Sequence, residues 1–193
     1  DVVGFHTSRW SRNFLRSCED IVGARVDFGR SEVHYGDTVV RATARPISVD
    51  PHEFAELATS PAVLSEEKTL VGARREHLIL RVDRTDPSKN VVRGMRAYEL
   101  FLEAHPELHG RVQMLAFLDP SRQDIPEYAE YLAAIQRAAR TVNDRFQTVD
   151  WVPLDLQIAD NFAQSVAAYK QYDVLLVNAI FDGMNLVAKE APL

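Results

Sequence analysis

The sequence has 193 residues, of which 46% are hydrophobic and 26% charged, with a formal net charge of −6. This mixture is typical of a globular protein with one large core or two smaller ones. The acidic balance weighs against a nucleic-acid-binding surface, and no apolar run reaches the ~18 residues of a membrane span. The single cysteine, Cys18, excludes an internal disulfide. It favours a reducing compartment, so we expect a cytoplasmic protein.

Residues 1–48 predict a strand, a helix and a hairpin. Residues 1–5 are apolar, and Thr7 or Ser8 can cap the helix that follows. Gly36-Asp37 lies between β-formers, which predicts a hairpin turn. The chain starts without methionine inside a predicted strand and ends just after a predicted helix start, so we expect a fragment of a longer protein.

A proline-bounded loop, residues 45–51, is the candidate domain boundary. Asp50 can cap the next helix, with Pro51 at its first position. Residues 53–58 and 61–68 predict short polar helices or linker. We therefore expect an N-terminal part over 1–48, a crossing segment over 49–76, and a second domain over 77–193.

From residue 77 onward, strands alternate with helices. The predicted strands are residues 77–82, 112–118, 149–154 and 173–178. This order predicts an α/β fold with a parallel, doubly wound sheet covered by helices on both faces. Ligands of such sheets bind beyond the carboxyl ends of the strands.

Charged candidate site residues follow the first, second and last of these strands. Arg84 and Lys89 follow the first and could together hold a diphosphate, although two basic residues in a loop could equally be solvated surface. Arg122 follows the second, where an ion pair with Asp119 or Asp124 is the alternative. The loop after the third strand, residues 155–157, is polar and uninformative.

The last strand leads into Asp182-Gly183 and a helix-forming sequence, which predicts a helix start suited to an anion. Asp182 could accept hydrogen bonds from a sugar. Glu190 could bind ribose hydroxyls, or could be an exposed helix residue paired with a basic neighbour. The six histidines lack metal-ligand spacing, so no metal site is predicted.

Three segments carry a family resemblance: residues 82–89, residues 120–122, and residues 182–190, which read Asp-Gly-Met-Asn-Leu-Val-Ala-Lys-Glu. They resemble the trehalose-6-phosphate synthase family of retaining glycosyltransferases. The resemblance implies the GT-B fold, with two facing Rossmann-like domains. Residues 1–48 would end the N-terminal acceptor-side domain, and residues 77–193 would bind the nucleotide sugar.

The resemblance also implies substrates and roles. The donor would be a nucleoside-diphosphate glucose, with uridine, guanosine or adenosine as the base, and the acceptor glucose 6-phosphate; no cofactor or metal is implied, and a homo-oligomer is left open. Arg84 and Lys89 would hold the donor diphosphate and stabilise the leaving group, and Arg122 would meet the acceptor phosphate. The remaining donor contacts would come from the last segment: Asp182, Gly183, Met184, Asn185, Leu186 and Glu190.

The chain also departs from the family pattern at residues 85–90 and 190–193. The usual loop reads Leu-Asp-Tyr-Ser-Lys-Gly, whereas residues 85–90 read Thr-Asp-Pro-Ser-Lys-Asn. This variant and the final residues, 190–193, resemble the validoxylamine-phosphate synthase branch of pseudo-glycosyltransferases. Met184 and residues 187–189 instead match the trehalose enzymes. A non-catalytic nucleotide-sugar sensor is the third alternative, and we expect the segment alone to be inactive.

Overall fold

The computed structural model describes residues 1–193. Contacts divide the chain into two compact units: unit 1 is Asp1–Val49 with Gly183–Leu186, and unit 2 is Asp50–Asp182 with Val187–Leu193. The assignment of residues 1–48 to an acceptor-side domain and of residues 77–193 to a donor-binding domain stays a prediction.

Unit 1 contains a four-stranded sheet and one helix. Its elements are β1 (Val2–Phe5), α1 (Ser8–Asp20), β2 (Arg25–Asp27), β3 (Glu32–Tyr35) and β4 (Thr38–Ala44). Thr7 caps α1, since its hydroxyl accepts a hydrogen bond from the Trp10 amide at 3.4 Å. The predicted hairpin joins β3 to β4 through a two-residue turn in which Gly36 has a φ of +55°. The strand order is β1-β4-β3-β2, and Leu15 of α1 packs with Ala42 of β4 in the core.

Unit 2 contains a parallel sheet and most of the helices. Asp50 caps its first helix, because its carboxylate accepts hydrogen bonds from the amides of His52 and Glu53, and Pro51 occupies the first position as predicted. The elements are α2 (Pro51–Ala58), α3 (Pro61–Ala73), β5 (His77–Arg84), α4 (Val91–Ala104), β6 (Val112–Asp119), α5 (Pro126–Phe146), β7 (Leu154–Ile158), α6 (Phe162–Tyr169), β8 (Val174–Leu175) and α7 (Val187–Glu190).

The sheet of unit 2 has the order β7-β6-β5-β8, with all strands parallel. Successive side chains of a strand point to opposite faces. Met114, Ala116 and Leu118 of β6 therefore pack with α4 and α5. Leu115 and Phe117 face the other side, where they line a small cavity with residues of α3 and α6. Helices cover both faces, which confirms the predicted α/β fold class.

The third strand lies further along the chain than predicted. Residues 149–154 were expected to form it, but Val149 is fully exposed and the strand begins only at Leu154. Trp151 gives this segment the apolar character of a strand, although it lies before the strand. Its buried indole Nε1 donates a 2.7 Å hydrogen bond to the Val112 carbonyl. Residues 155–157, expected to be a loop, lie inside β7. Their polar character fits an edge strand that alternates apolar and polar residues.

The end of the chain also differs from the prediction. β8 has two residues, which suits a sheet edge. The helix expected directly after Gly183 begins only at Val187 and has four residues. The intervening residues, 183–186, make their contacts with unit 1 and not along a helix of unit 2. The helix start therefore lies at Val187, and the anion site predicted for this part of the chain stays a prediction.

Candidate functional site

The strand order creates a topological switch point between β5 and β8. The chain passes from β5 to β6 to β7 on one side, and β8 then returns to the other side of β5. The loops that leave β5 and β8 therefore diverge, and ligands of open α/β sheets bind in the crevice formed there. The residues that leave these two strands, Thr85–Asn90 and Leu176–Asp182, define the site.

Lys89 and Asp182 meet at this switch point. The Lys89 ammonium Nζ lies 2.6 Å from Asp182 Oδ2 and 3.5 Å from Asp83 Oδ1. The Lys89 side chain is 13% exposed and that of Asp182 is 23% exposed, so the pair is sheltered but reachable from solvent. The structure thus joins two residues, 93 positions apart, that the sequence places in the same site.

Arg81 lies beneath this pair and is completely buried. Its Nη2 donates to Asp83 Oδ2 at 2.8 Å and to the Lys89 carbonyl, and its Nη1 donates to Asn178 Oδ1. Burial lowers the pKa of Arg81 and raises the pKa of Asp83, and the attraction between the two charges opposes both shifts. Arginine stays protonated in proteins, and Asp83 lies between this guanidinium and the Lys89 ammonium.

Asn90 completes the turn after β5. It has a left-handed φ of +59°, which Asn tolerates better than most residues because its short side chain bonds locally. Its Nδ2 donates to the Asn178 carbonyl at 3.0 Å, which ties the β5 loop to the β8 loop.

Asp86 organises the outer part of the β5 loop. Its Oδ1 accepts hydrogen bonds from the Ser88 amide at 2.9 Å and the Ser88 hydroxyl at 2.7 Å. Its Oδ2 accepts from the Tyr128 hydroxyl at 3.2 Å. Partial burial works in the opposite direction, but the hydrogen bonds from Ser88 and Tyr128 hold the pKa of Asp86 below its usual range.

Arg122 is anchored by Tyr128. Its guanidinium lies 5.5 Å from the Tyr128 ring centroid, and Nη1 donates to the Tyr128 hydroxyl at 3.1 Å. The expected alternative, an ion pair with Asp119 or Asp124, is not formed.

The hydroxyl of buried Thr85 accepts a 2.9 Å hydrogen bond from the Ser121 amide. The loops after β5 and β6 are therefore fastened to each other.

Arg84 and Glu190 have different surroundings. Arg84 is exposed at the end of β5, where it pairs in register with Asp119. Glu190 is half-buried and accepts a 3.3 Å hydrogen bond from the Tyr169 hydroxyl. Burial raises the pKa of Tyr169, and the nearby Glu190 carboxylate raises it further. The partner of Glu190 is thus a phenol from α6.

The predicted residues 183–186 belong to unit 1. A Cβ atom at Gly183 would lie 3.6 Å from the Trp10 indole Nε1. The roles predicted for Gly183, Met184, Asn185 and Leu186 stay predictions, as do those of the other site residues.

Sequence reasoning missed the inner layer of the site: Arg81, Asp83, Asn178 and Tyr128. Arg81 had a usable signal, since a charged residue within an apolar strand is buried and must find a partner. Asp83 lies two positions further on the same face of β5, where such a partner is expected. Asn178 and Tyr128 had no such signal, because their partners are distant in sequence.

The described residues contain no group of three or more His, Cys, Asp or Glu side chains that could hold a metal ion. No helix is both long and apolar enough to cross a membrane.

The fold and the charged switch point together define an α/β protein of the GT-B type, the fold of its structural relatives. The sequence matches the model of glycosyltransferase family 20 over residues 1–192. The chain belongs to that family.

Curated relatives agree with this assignment. The UDP-forming alpha,alpha-trehalose-phosphate synthase of Pichia angusta is 37% identical over 98% of this chain and 40% of its own length. The bifunctional trehalose-6-phosphate synthase/phosphatase of Thermoproteus tenax is 36% identical over 98% of this chain and 26% of its own length. The chain thus spans 40% or less of these relatives.

Solved structures are similar over almost the whole chain. The alpha,alpha-trehalose-phosphate synthase (UDP-forming) of Burkholderia xenovorans, in complex with glucose-6-phosphate, is 32% identical with a TM-score of 0.86, covering 99% of this chain and 42% of that one. An E. coli structure bound with UDP-2-fluoro glucose is 26% identical with a TM-score of 0.87, with the same coverage.

Proposed function

We propose that this chain forms the nucleotide-sugar-binding part of an alpha,alpha-trehalose-phosphate synthase. Such an enzyme transfers glucose from a nucleoside-diphosphate glucose to glucose 6-phosphate, with retention of configuration, to give trehalose 6-phosphate. The observation that carries the proposal is the contact of Lys89 with Asp182 at the switch point, in a chain that family 20 matches almost throughout.

The Lys89–Asp182 pair supports a donor site because it can exchange partners. Asp182 neutralises Lys89 at 2.6 Å. A diphosphate bound here would replace Asp182 as the ion-pair partner of the Lys89 ammonium. The Asp182 carboxylate could then accept hydrogen bonds from sugar hydroxyls. The relatives from Pichia angusta and Burkholderia xenovorans are UDP-forming enzymes, so UDP-glucose is the donor to test first.

In this proposal, Arg84 and Lys89 act on the leaving group. Negative charge grows on the departing phosphate as the glycosidic bond breaks, and cations already in place stabilise it in the transition state. Arg122, held by Tyr128, would contact the acceptor phosphate, and Glu190 would contact the donor ribose. Gly183 and the following residues would contribute backbone groups.

Donor binding is tested on the chain by calorimetric titration with UDP-glucose. We expect binding that is lost in Lys89→Ala and Arg84→Ala and kept in Arg137→Ala, a control arginine exposed on α5. If the chain binds no UDP-glucose, or if Arg137→Ala weakens binding as much as Lys89→Ala, the donor-site assignment is wrong.

Turnover is tested with the complete polypeptide encoded by the gene, supplied with UDP-glucose and glucose 6-phosphate. We expect trehalose 6-phosphate, and a loss of at least ~100-fold in turnover for Arg84→Ala or Lys89→Ala, the scale for removing a preorganised electrostatic group. Near-normal turnover in both variants would contradict the roles of these cations. Donor binding without product would favour a sensor, and product only with an amine-bearing cyclitol phosphate would favour a pseudo-glycosyltransferase.

A further inference from the structure

Arg81 is the least expected residue of the site. It lies within β5 between two apolar residues, and its side chain is 0% exposed. Burying a guanidinium is costly unless its donors are paired. One donor, Nε, is buried without any partner. A buried group that keeps an unsatisfied donor calls for an explanation beyond packing.

The contacts of Arg81 converge on Lys89 by two routes. The guanidinium donates directly to the Lys89 carbonyl, which fixes the backbone of the turn. It also pairs with Asp83 Oδ2 at 2.8 Å, while the other oxygen of Asp83 lies 3.5 Å from Lys89 Nζ. Arg81 therefore acts on both the main chain and the ammonium of Lys89.

Arg81 supplies one of the two positive charges among the four residues that these ion pairs connect. Arg81 and Lys89 supply two positive charges, and Asp83 and Asp182 supply two negative charges. Without Arg81, two carboxylates would compete for one ammonium. Lys89 would then be drawn toward Asp83, and the site would carry excess negative charge against an anionic ligand.

We propose that Arg81 is a positioning residue that holds Lys89 in place for an anionic ligand, chiefly by neutralising Asp83, with its bond to the Lys89 carbonyl as a smaller contribution. It need not touch the ligand. The role of the positioned ammonium rests on the proposed function, whereas the positioning itself is a property of the unliganded chain.

Two measurements separate these statements. The first is NMR of the lysine ε-methylene groups in a chain labelled with ¹³C-lysine. The sequence contains only Lys68, Lys89, Lys170 and Lys189, and the Lys89 signal is assigned with Lys89→Arg. The second is calorimetric titration with UDP.

The variants are Arg81→Met and the double variant Arg81→Met/Asp83→Asn, which removes both charges of the buried pair. Arg74→Met is the matched control. Arg74 lies between α3 and β5 and bonds to Asp173 and the Gln171 carbonyl, just before β8, so it acts at the amino ends of the strands. Because a fold often tolerates the loss of both members of a buried ion pair, stability alone does not test the role of Arg81, and the Lys89 signal is the readout that does.

We expect Arg81→Met to shift the Lys89 signal and weaken UDP binding at least ~10-fold, the effect that corresponds to ~1.4 kcal/mol. The double variant should bring the signal back toward its original position and recover UDP binding to within about threefold, while Arg74→Met changes neither. An unmoved Lys89 signal in Arg81→Met would overturn the proposal. So would a double variant no better than Arg81→Met.

If Arg81→Met does not fold, Gly94→Ala takes its place. A Cβ at position 94 would lie 2.6 Å from Arg81 Nη1, so this change displaces the guanidinium without altering any charge. Gly72→Ala is its control, since nothing lies within 4 Å of a Cβ there. The Lys89 signal should shift in the first variant and not in the second, and equal signals in both would overturn the proposal.

Failure of the proposed function gives a different pattern. If the original chain binds no UDP, the donor site is refuted, and the NMR signal alone judges the positioning. A Lys89 signal that shifts in Arg81→Met and returns in the double variant then supports it, and an unmoved signal rejects it.

Discussion

Gly94 of α4 is where helix propensity and packing make opposite demands. Alanine is favoured over glycine within a helix by about 1 kcal/mol. At Gly94, however, the added methyl would lie 2.6 Å from Arg81 Nη1 and 3.3 Å from Asn178 Oδ1. Overpacking of this kind costs about 1–3 kcal/mol, and disturbing a hydrogen bond to a charged group costs about 1.5–3 kcal/mol more. We expect Gly94→Ala to lower the free energy of unfolding by about 3 kcal/mol.

Gly72→Ala in α3 should do the reverse, because a Cβ there meets nothing within 4 Å. It should stabilise unit 2 by up to about 1 kcal/mol. The assay is urea unfolding followed by tryptophan fluorescence. The chain has two tryptophans, so a Trp10→Phe background leaves Trp151, buried in the core of unit 2, as the only reporter. At an m-value of about 2 kcal/mol/M, the midpoint of Gly94→Ala should fall by about 1.5 M.

A Gly94→Ala variant as stable as the original chain would refute this reasoning. It would mean that α4 can move away from β5 without cost and that Arg81 is not held tightly between them. Destabilisation by Gly72→Ala of the same size would show that both changes act through the helices themselves and not through Arg81.

Two further predictions concern single carboxylates. Tyr128→Phe removes the hydroxyl that bonds to Asp86, so the pKa of Asp86 should rise, as measured by carboxyl NMR titration; an unchanged pKa would show that Ser88 alone sets it. The hydrogen bond from Lys170 lowers the pKa of Glu67 against the opposing effect of burial. This stability is present above the ordinary carboxyl pKa and is lost as pH falls through the lowered value. Glu67→Gln should therefore lower the unfolding free energy by about 1 kcal/mol at pH 7 and flatten its decline below pH 5, whereas parallel curves would contradict the contribution of the pair.

The sequence predicted best where local chemistry decides the structure. Gly36-Asp37 determines its turn because Gly36 adopts a positive φ, and Asp50 determines a helix start because its carboxylate accepts from the first free amides. The parallel sheet followed from the alternation of apolar strands with helices. These features depend on residues within a few positions of one another.

Prediction failed where distant contacts decide. Trp151 gave its segment the apolar character of a strand, but its side chain is buried in the core and bonds to the Val112 carbonyl of β6. Residues 183–186 look helix-forming, but they make contacts with unit 1 and the helix starts only at Val187. The sequence places Lys89 and Asp182 in loops of one predicted site, and the structure brings the two side chains together, whereas Asn178 contacts a partner 97 positions away.

β8 is held to the rest of the sheet through only two residue pairs, Ile79 with Val174 and Leu80 with Leu175, while β5 and β6 pair along eight. Segments with few backbone pairings open locally at much lower free energy than the whole protein. Opening of β8 alone would carry Asp182 away from Lys89 and leave the β5–β6 ladder closed. Asp182 therefore follows the strand with the fewest backbone pairings in the sheet, and its place beside Lys89 depends largely on side-chain bonds such as those of Asn90 and Arg81 to Asn178.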